Sequence, residues 1–283
     1  MKVLVRVYQF IQNISLDVVC GAMAMAFLFA QLCTVNLPSF VYSILAVCVW
    51  LIYTFDHLLD AKNIEGVAKT RRHRFHQLHY DSLIIIWVIL LGFGFLLSVF
   101  WLPKVIWYWG AYIVAFSIIH LVLVHYFGST KSRLVLKEVG VAWIYSGGIV
   151  LAPFALSTQM ELAYALSFVV LFLVVLFNLI MFSYFDYERD LRNKLSSIAV
   201  NWGLPTTKHI LYTLFGVIVL ISTYALLAVE VNNMYYYLTI CFLLSVAIFY
   251  LLMVVLIDND RSSETYRKMG DAVFLLPLFL LLL

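Results

Sequence analysis

From residue 161 to residue 194 the chain reads ELAYALSFVVLFLVVLFNLIMFSYFDYERDLRNK, an apolar run that ends in a cluster of charges. The apolar part, about residues 161–184, is long enough to cross a hydrocarbon core of about 30 Å as one helix. The charged end carries Asp186 and Asp190, which are four positions apart and therefore share a helix face. The stretch predicts a membrane-spanning helix with a pair of carboxylates at its polar end.

The rest of the chain has the same apolar character. Of its 283 residues, 65% are hydrophobic and 12% are charged, and the mean hydropathy is +1.01. An average soluble domain carries roughly 25% charged residues, so this composition excludes a soluble enzyme. The formal charge of +3 is too small to indicate a nucleic-acid partner. We expect an all-α membrane protein, surrounded by lipids, with one domain over residues 1–283.

Apolar runs bounded by polar clusters predict nine transmembrane helices. Their expected bounds are about 14–36, 39–59, 82–102, 105–127, 136–157, 161–184, 209–230, 235–257 and 265–283. The predicted fold is a polytopic bundle of these nine helices.

The basic residues are distributed unevenly between the two sides of this bundle. With the N-terminus in the cytoplasm, only Lys104 of the 18 Lys and Arg residues falls on the outer side. Cytoplasmic loops carry such an excess of basic residues. The bias therefore predicts a cytoplasmic N-terminus, and it places Asp186 and Asp190 at the cytoplasmic end of their helix.

A second pair of carboxylates ends the second predicted span. Asp56 and Asp60 repeat the D-x-x-x-D spacing, and an even number of spans returns both pairs to the same mouth of the bundle. Like charges so placed repel, so asparagine at Asp186 or Asp190 is expected to raise thermal stability slightly. A single such pair is usually a solvated acidic turn, but two at equivalent positions favour a common site. Carboxylates of this kind suit Mg²⁺, which typically binds together with substrate phosphates.

Basic residues follow both acidic motifs. Residues 69–74 (KTRRHR) follow the first motif, and Arg192 and Lys194 follow the second. Guanidinium forks pair with phosphate oxygens, although a basic cytoplasmic loop is also expected from the positive-inside bias alone. The histidines of the first loop have no regular zinc spacing, and we interpret them as polar loop residues. Above an apolar bundle, the pattern predicts a lipid diphosphate site.

These segments resemble the two aspartate-rich motifs of the UbiA superfamily of intramembrane prenyltransferases, which has nine transmembrane helices. Residues 55–62 (FDHLLDAK) resemble the closing half of the family's N-D-x-x-D-x-x-x-D-A-K, and residues 72–75 (RHRF) resemble its downstream R-x-R-P. Residues 186–199 resemble D-x-x-x-D-x-x-x-G-x-x-S/T-x-A. In topology, the resemblance covers nearly the whole chain.

The chain departs from the family pattern at four positions. Ile52 and Tyr53 stand where the first motif begins with Asn-Asp, Lys194 stands at the glycine position, and Phe75 replaces the proline. The aspartates at the two D-x-x-x-D positions are all kept. The resemblance therefore implies a divergent member that retains the metal and diphosphate machinery.

The resemblance implies Mg²⁺-dependent transfer of an isoprenyl group from a prenyl diphosphate donor to an aromatic or lipid acceptor within the membrane. The implied catalytic residues and metal ligands are Asp56, Asp60, Asp186 and Asp190. The basic residues implied to neutralise the remaining diphosphate oxygens are Lys62, Arg72, Arg74 and Lys194. Loss of the diphosphate would leave an allylic cation, which the acceptor would attack.

Further polar and aromatic residues are candidates for the same cavity. Asn178 shares a helix face with Asp186, so it is predicted either to line the cavity or to make an interhelical hydrogen bond. The aromatic face of Tyr53 is a candidate to stabilise the cation. Ionisable residues within or beside the spans, expected either to serve the acceptor or to pair with Lys137 or Arg267, are Asp17, His120, Glu138 and Asp271.

Two alternative functions stay open. A membrane terpene cyclase would ionise the same diphosphate without an external acceptor. A lipid or anion transporter would hold buried charges along a pathway, but here the charges cluster at one membrane face and the sequence shows no internal repeat with interrupted helices.

Overall fold

The computed structural model is all-α. It describes residues 2–64, 66–68, 70–127, 131–158, 161–193, 195–256 and 265–282. Within these ranges the chain forms α-helices and one 3₁₀ helix, with no strand. The elements are α1 (Lys2–Asn13), α2 (Leu16–Leu32), α3 (Ser39–Asn63), α4 (Arg71–Leu78), α5 (Tyr80–Trp101), α6 (Lys104–Phe127), α7 (Lys131–Leu156), α8 (Leu162–Arg192), α9 (Ile198–Trp202), α10 (Leu204–Ala228), α11 (Met234–Leu256), α12 (Thr265–Ala272) and the 3₁₀ helix (Val273–Leu282).

Among the described residues, seven helices are long and apolar enough to cross a membrane, namely α3, α5, α6, α7, α8, α10 and α11. They correspond to seven of the nine predicted spans. The first predicted span is the shorter apolar helix α2, and the last, residues 265–283, is divided between α12 and the 3₁₀ helix. The all-α membrane bundle is confirmed, and the chain is an integral multi-pass membrane protein.

Helix α8 occupies the centre of the bundle. It packs against α7, α10 and α11, and its side chains include the fully buried Leu171, Val174 and Phe177. In contrast, α5 and α6 expose large apolar side chains such as Phe100 and Tyr112 along their lengths. Because lipid tails are apolar, such faces are suited to the hydrocarbon phase. We therefore place α5 and α6 at the lipid-facing side of the bundle.

Two of the spanning helices continue past their apolar runs into the acidic motifs. The predicted span of α8 ended near residue 184, but the helix extends to Arg192. Arg189 and Arg192 lie in its last turn, where positive charge interacts favourably with the helix dipole. Helix α3 likewise extends to Asn63. Both aspartate pairs therefore project from continuous helices rather than from loops.

Two short helices, α4 and α9, pack beside these extended ends. The Thr70 hydroxyl accepts a hydrogen bond from the His73 N–H at the start of α4, and the Ser197 hydroxyl accepts one from the Val200 N–H at the start of α9. Such caps satisfy N–H groups that have no partner within the helix. Gly203, with a φ of 81°, supplies the left-handed turn between α9 and α10. These connections hold α4 against α3 and α9 against α8.

Candidate functional site

A cavity of about 370 Å³ lies at the end of the bundle where α3 and α8 carry their acidic motifs. Residues of α2, α3, α4, α7, α8 and α12 contribute to its lining. Asp56, Asp60, Asp186 and Asp190 all line it. The fold therefore brings the two motifs, which are far apart in sequence, to one cavity.

The described lining of this cavity is rich in negative charge. Its carboxyl groups, six in number, belong to Asp56, Asp60, Glu138, Asp186, Asp190 and Asp271. Its basic side chains, three in number, belong to Arg72, Lys137 and Arg267. With the two lining histidines neutral, the formal charge of these groups is −3.

Asp186 is enclosed by cationic and hydroxyl partners. Its side chain is 5% exposed, and Oδ1 accepts hydrogen bonds from the Tyr266 hydroxyl and from Nη1 of Arg189, the latter at 3.0 Å. Its other oxygen, Oδ2, accepts a hydrogen bond from Nη2 of Arg267. Both carboxylate oxygens are therefore engaged, and a metal ion at Asp186 would have to displace Arg267 or share an oxygen with it.

The other aspartates have a common cationic neighbour. Lys137, near the start of the apolar part of α7, interacts electrostatically with Asp56, Asp60 and Asp190. Asp190 also interacts with the hydroxyl of Ser197. One ammonium group among three carboxylates offsets only part of their mutual repulsion. The region between the two motifs therefore favours additional positive charge.

Two histidines of α4, His73 and His76, pack against His57 of α3. His76 is 1% exposed, and Nε2 of His73 lies 3.7 Å from Oδ2 of Asp60. Burial lowers the pKa of His73 to about 4 and also lowers the pKa of His76, so both imidazoles are neutral at pH 7. The interpretation of these two residues as polar loop side chains is wrong, because both belong to a helix packed on the site.

Three of the predicted substrate-binding residues, Tyr53, Arg72 and Asn178, line the cavity. Arg72 makes two contacts across it. Its Nη2 lies 3.8 Å from Oδ2 of Asp271, and its Nη1 donates a long hydrogen bond of 3.4 Å to Nε2 of His57. The guanidinium therefore connects α4 to both α3 and α12.

The amide of Asn178 is oriented by its partners. Its Nδ2 donates to the Tyr250 hydroxyl at 2.8 Å, and that hydroxyl donates to the carbonyl of Gly270, also at 2.8 Å. Because the hydroxyl proton of Tyr250 is used by Gly270, the group facing the Tyr250 oxygen must be the amide NH₂. Oδ1 of Asn178 is then left buried without a hydrogen-bond partner among the described residues. Both sequence-based expectations for Asn178 therefore hold together: it lines the cavity and it bonds to a neighbouring helix.

The remaining predicted phosphate ligands lie elsewhere. Lys62 and Arg74 are exposed and do not line the cavity, and Lys194 is outside the described residues. Their places in the lining are taken by Lys137 and Arg267, which the sequence predicts only as ion-pair partners. The available signal was their position, because an ionisable residue within or beside an apolar run is a functional candidate.

No family model matches the chain, and no curated protein matches it significantly. The solved structure of a UbiA homolog from Archaeoglobus fulgidus, bound to DMAPP and Mg²⁺, is similar over 96% of this chain and 98% of that chain. The TM-score is 0.65 and the sequence identity is 13%. A similarity at this identity shows the fold. The chain is thus a helical membrane protein with the fold of a UbiA homolog, as the resemblance of its motifs implied.

Proposed function

We propose that the chain is a single-domain intramembrane prenyltransferase, which moves an isoprenyl group from a prenyl diphosphate to an aromatic or lipid acceptor in the presence of Mg²⁺. The observation that carries the proposal is the formal charge of −3 on the described lining. A diphosphate alone is repelled by such a cavity, whereas a diphosphate accompanied by divalent cations is attracted. The shared fold with a UbiA homolog bound to DMAPP and Mg²⁺ supports the same substrate class.

The donor set of the cavity fits Mg²⁺, because carboxylate oxygens from two rigid helices face one space. Asp56, Asp60 and Asp190 would hold the ion. Asp186 would join them by exchanging Arg267 for the metal or by sharing an oxygen with it. When bound, Mg²⁺ supplies Lewis acidity to the departing diphosphate.

The basic side chains of the lining bind the diphosphate oxygens that the metal leaves free. Arg72 and Arg267 present guanidinium forks, which match phosphate oxygens in geometry. The predicted contributions of Lys62, Arg74 and Lys194 stay proposals, with the first two exposed outside the cavity.

The apolar part of the lining receives the prenyl chain. Val175, Leu179 and Phe274 contribute to it, together with the aromatic rings of Tyr53 and Tyr145, whose centroids are 6.2 Å apart. These side chains exclude water from an allylic cation, and the ring faces stabilise its charge. The acceptor would enter from the membrane, while the N-terminus and the mouth of the cavity face the cytoplasm.

The test uses the purified full chain in detergent with labelled prenyl diphosphates of increasing length, with and without a membrane extract. Pyrophosphate release and transfer of label should both require Mg²⁺. Asp60→Asn and Asp190→Asn should lower the rate by roughly 10²–10³-fold, the usual effect of removing one electrostatic stabiliser at an active site.

The matched control is Glu188→Gln, because Glu188 lies on the same helix as Asp190 but is exposed. It should retain the rate of the unmodified protein. Release that persists in excess chelator, or that survives both aspartate variants, would overturn the proposal. Release without any acceptor in the mixture would instead assign the terpene cyclase reaction.

A further inference from the structure

One group of side chains in the cavity offers both nitrogen and oxygen atoms of the kind that ligate metal ions. His57 and Asp60 are three residues apart on α3 and therefore share a helix face, and His73 approaches them from α4. One ligand atom from each of the three lies within 4.8 Å of the other two. A single metal ion could be held by these three atoms after a small approach of the side chains.

Each of the two imidazoles has one ring nitrogen without a hydrogen-bond partner among the described residues. Nδ1 of His57 and Nδ1 of His73 are both buried, and neither has a hydrogen-bond partner among the described residues. His57 is only 7% exposed, and both rings line the cavity. Since buried polar atoms nearly always have a partner, these two nitrogens indicate that the group accepts a ligand that the described residues do not supply.

We infer that His57, Asp60 and His73 form a binding site for a first-row transition-metal dication of the Zn²⁺ or Co²⁺ type. The role of this ion rests on the proposed function. The identity of the metal that the first motif binds goes beyond that function. Imidazole nitrogens favour these ions over Mg²⁺, which prefers oxygen ligands. Ile52 and Tyr53 provide no carboxylate at the start of this motif.

Three protein ligands leave coordination positions open for a diphosphate oxygen. With the Asp60 carboxylate shared with this ion, Mg²⁺ would be held mainly by the oxygens of Asp56 and Asp190.

Arg72 competes with the metal for His57. A guanidinium only donates hydrogen bonds, so in its contact of 3.4 Å with Arg72, Nε2 of His57 accepts and Nδ1 carries the proton. A metal ion needs an unprotonated ring nitrogen and repels the guanidinium, so Arg72 must turn away from His57. Asp271, at 3.8 Å from Arg72, is the partner to which it turns.

The experiment titrates the purified full chain, with any affinity tag removed and no substrate present, with Co²⁺ and follows the visible absorption of the bound ion. Zn²⁺ should displace the Co²⁺, whereas Mg²⁺ at the same concentration should not. His57→Gln and His73→Gln should each weaken Co²⁺ binding by roughly 100-fold or more, since loss of even an outer-shell partner of a metal ligand costs 10–100-fold. Arg72→Met should tighten it by about tenfold or more, because a nearby like charge is removed.

The matched control is His79→Gln, since His79 is the exposed histidine at the end of α4. It should bind Co²⁺ as the unmodified protein does. A second measurement avoids any question of variant folding: the unmodified Co²⁺ protein should show strongly shifted imidazole N–H proton resonances from two histidines.

Absence of these resonances, or equal Co²⁺ binding by the variants of His57, His73 and His79, would overturn the inference. Failure of this site leaves pyrophosphate release under Mg²⁺ intact. Failure of the proposed function instead leaves a metal-binding protein that does not release pyrophosphate, so the two outcomes are distinguishable.

Discussion

Substituting asparagine for Asp186 tests whether the second motif is a repelling acidic pair or part of an ion-pair cluster. Asparagine has nearly the same shape and keeps an oxygen for the Tyr266 hydroxyl, but it removes the negative charge. The like-charge argument from the sequence predicts a slightly more stable protein. The structure predicts the opposite, because Asp186 is the anion that Arg189 and Arg267 share.

The magnitude follows from how far these groups are buried. Removing one partner of a buried ion pair costs about 3–5 kcal/mol, because the other charge is left without compensation. Here the Asp186 side chain is 5% exposed, but those of Arg189 and Arg267 are 19% and 30% exposed and can partly return to water. We therefore expect a loss of about 2–3 kcal/mol, below that range. At about 2–4 °C per kcal/mol, the thermal midpoint should fall by roughly 4–12 °C.

The assay is thermal unfolding of the purified protein in one detergent, followed by circular dichroism without added metal or substrate. Glu188→Gln is the control, because Glu188 lies on the same helix and its ion pair with Arg192 is long, at 4.0 Å, and exposed. Such a surface pair contributes about 0–1 kcal/mol. A midpoint for Asp186→Asn equal to or above that of the unmodified protein would refute the ion-pair cluster and restore the like-charge argument.

Three further outcomes are expected. Tyr250→Phe should destabilise the protein by about 1–3 kcal/mol, since it leaves Asn178 and the Gly270 carbonyl short of buried hydrogen bonds; an unchanged thermal midpoint would contradict this. Cysteines introduced at the exposed positions Arg71 and Arg192 should add no labelling to that of the unmodified protein when an impermeant thiol reagent is applied outside intact cells. Additional labelling of both variants would invert the proposed topology. The affinity for inorganic pyrophosphate should rise at least about tenfold with Mg²⁺, and equal affinity in excess chelator would count against the charge argument.

The membrane helices could be predicted because each long apolar run is a local signal. The two exceptions lie at the first and last predicted spans. The first ends early at Leu32, where Thr34 adopts a positive φ of 54° ahead of Pro38. The last contains Pro277, which lacks an N–H donor, and its apolar part forms a 3₁₀ helix instead of an α-helix. A left-handed residue near the end of the first span and a proline within the last one therefore accompany the two departures from the prediction.

The cavity could be predicted only in part. The spacing of Asp56 and Asp60, and of Asp186 and Asp190, is a property of one helix and was visible in the sequence. Tertiary packing decides which cationic side chains pair with these carboxylates. No spacing rule in the sequence connects Asp186 with Arg267. The histidine pair was missed for the same reason, because its members come from two helices and lack the regular spacing of a zinc motif.

The ion pairs of α12 explain why metal and diphosphate should bind together. Arg72 of α4 pairs with Asp271 of α12, and Arg267 of α12 pairs with Asp186 of α8, so α12 ties both neighbours across the cavity. When a diphosphate binds the guanidinium of Arg72 or Arg267, the carboxylate paired with that guanidinium loses its partner. This happens in a cavity that already carries excess negative charge. A divalent cation compensates for that carboxylate, and the released oxygens in turn become available to the cation. Each ligand therefore lowers the free energy of binding the other, and by thermodynamic linkage the effect is equal in both directions.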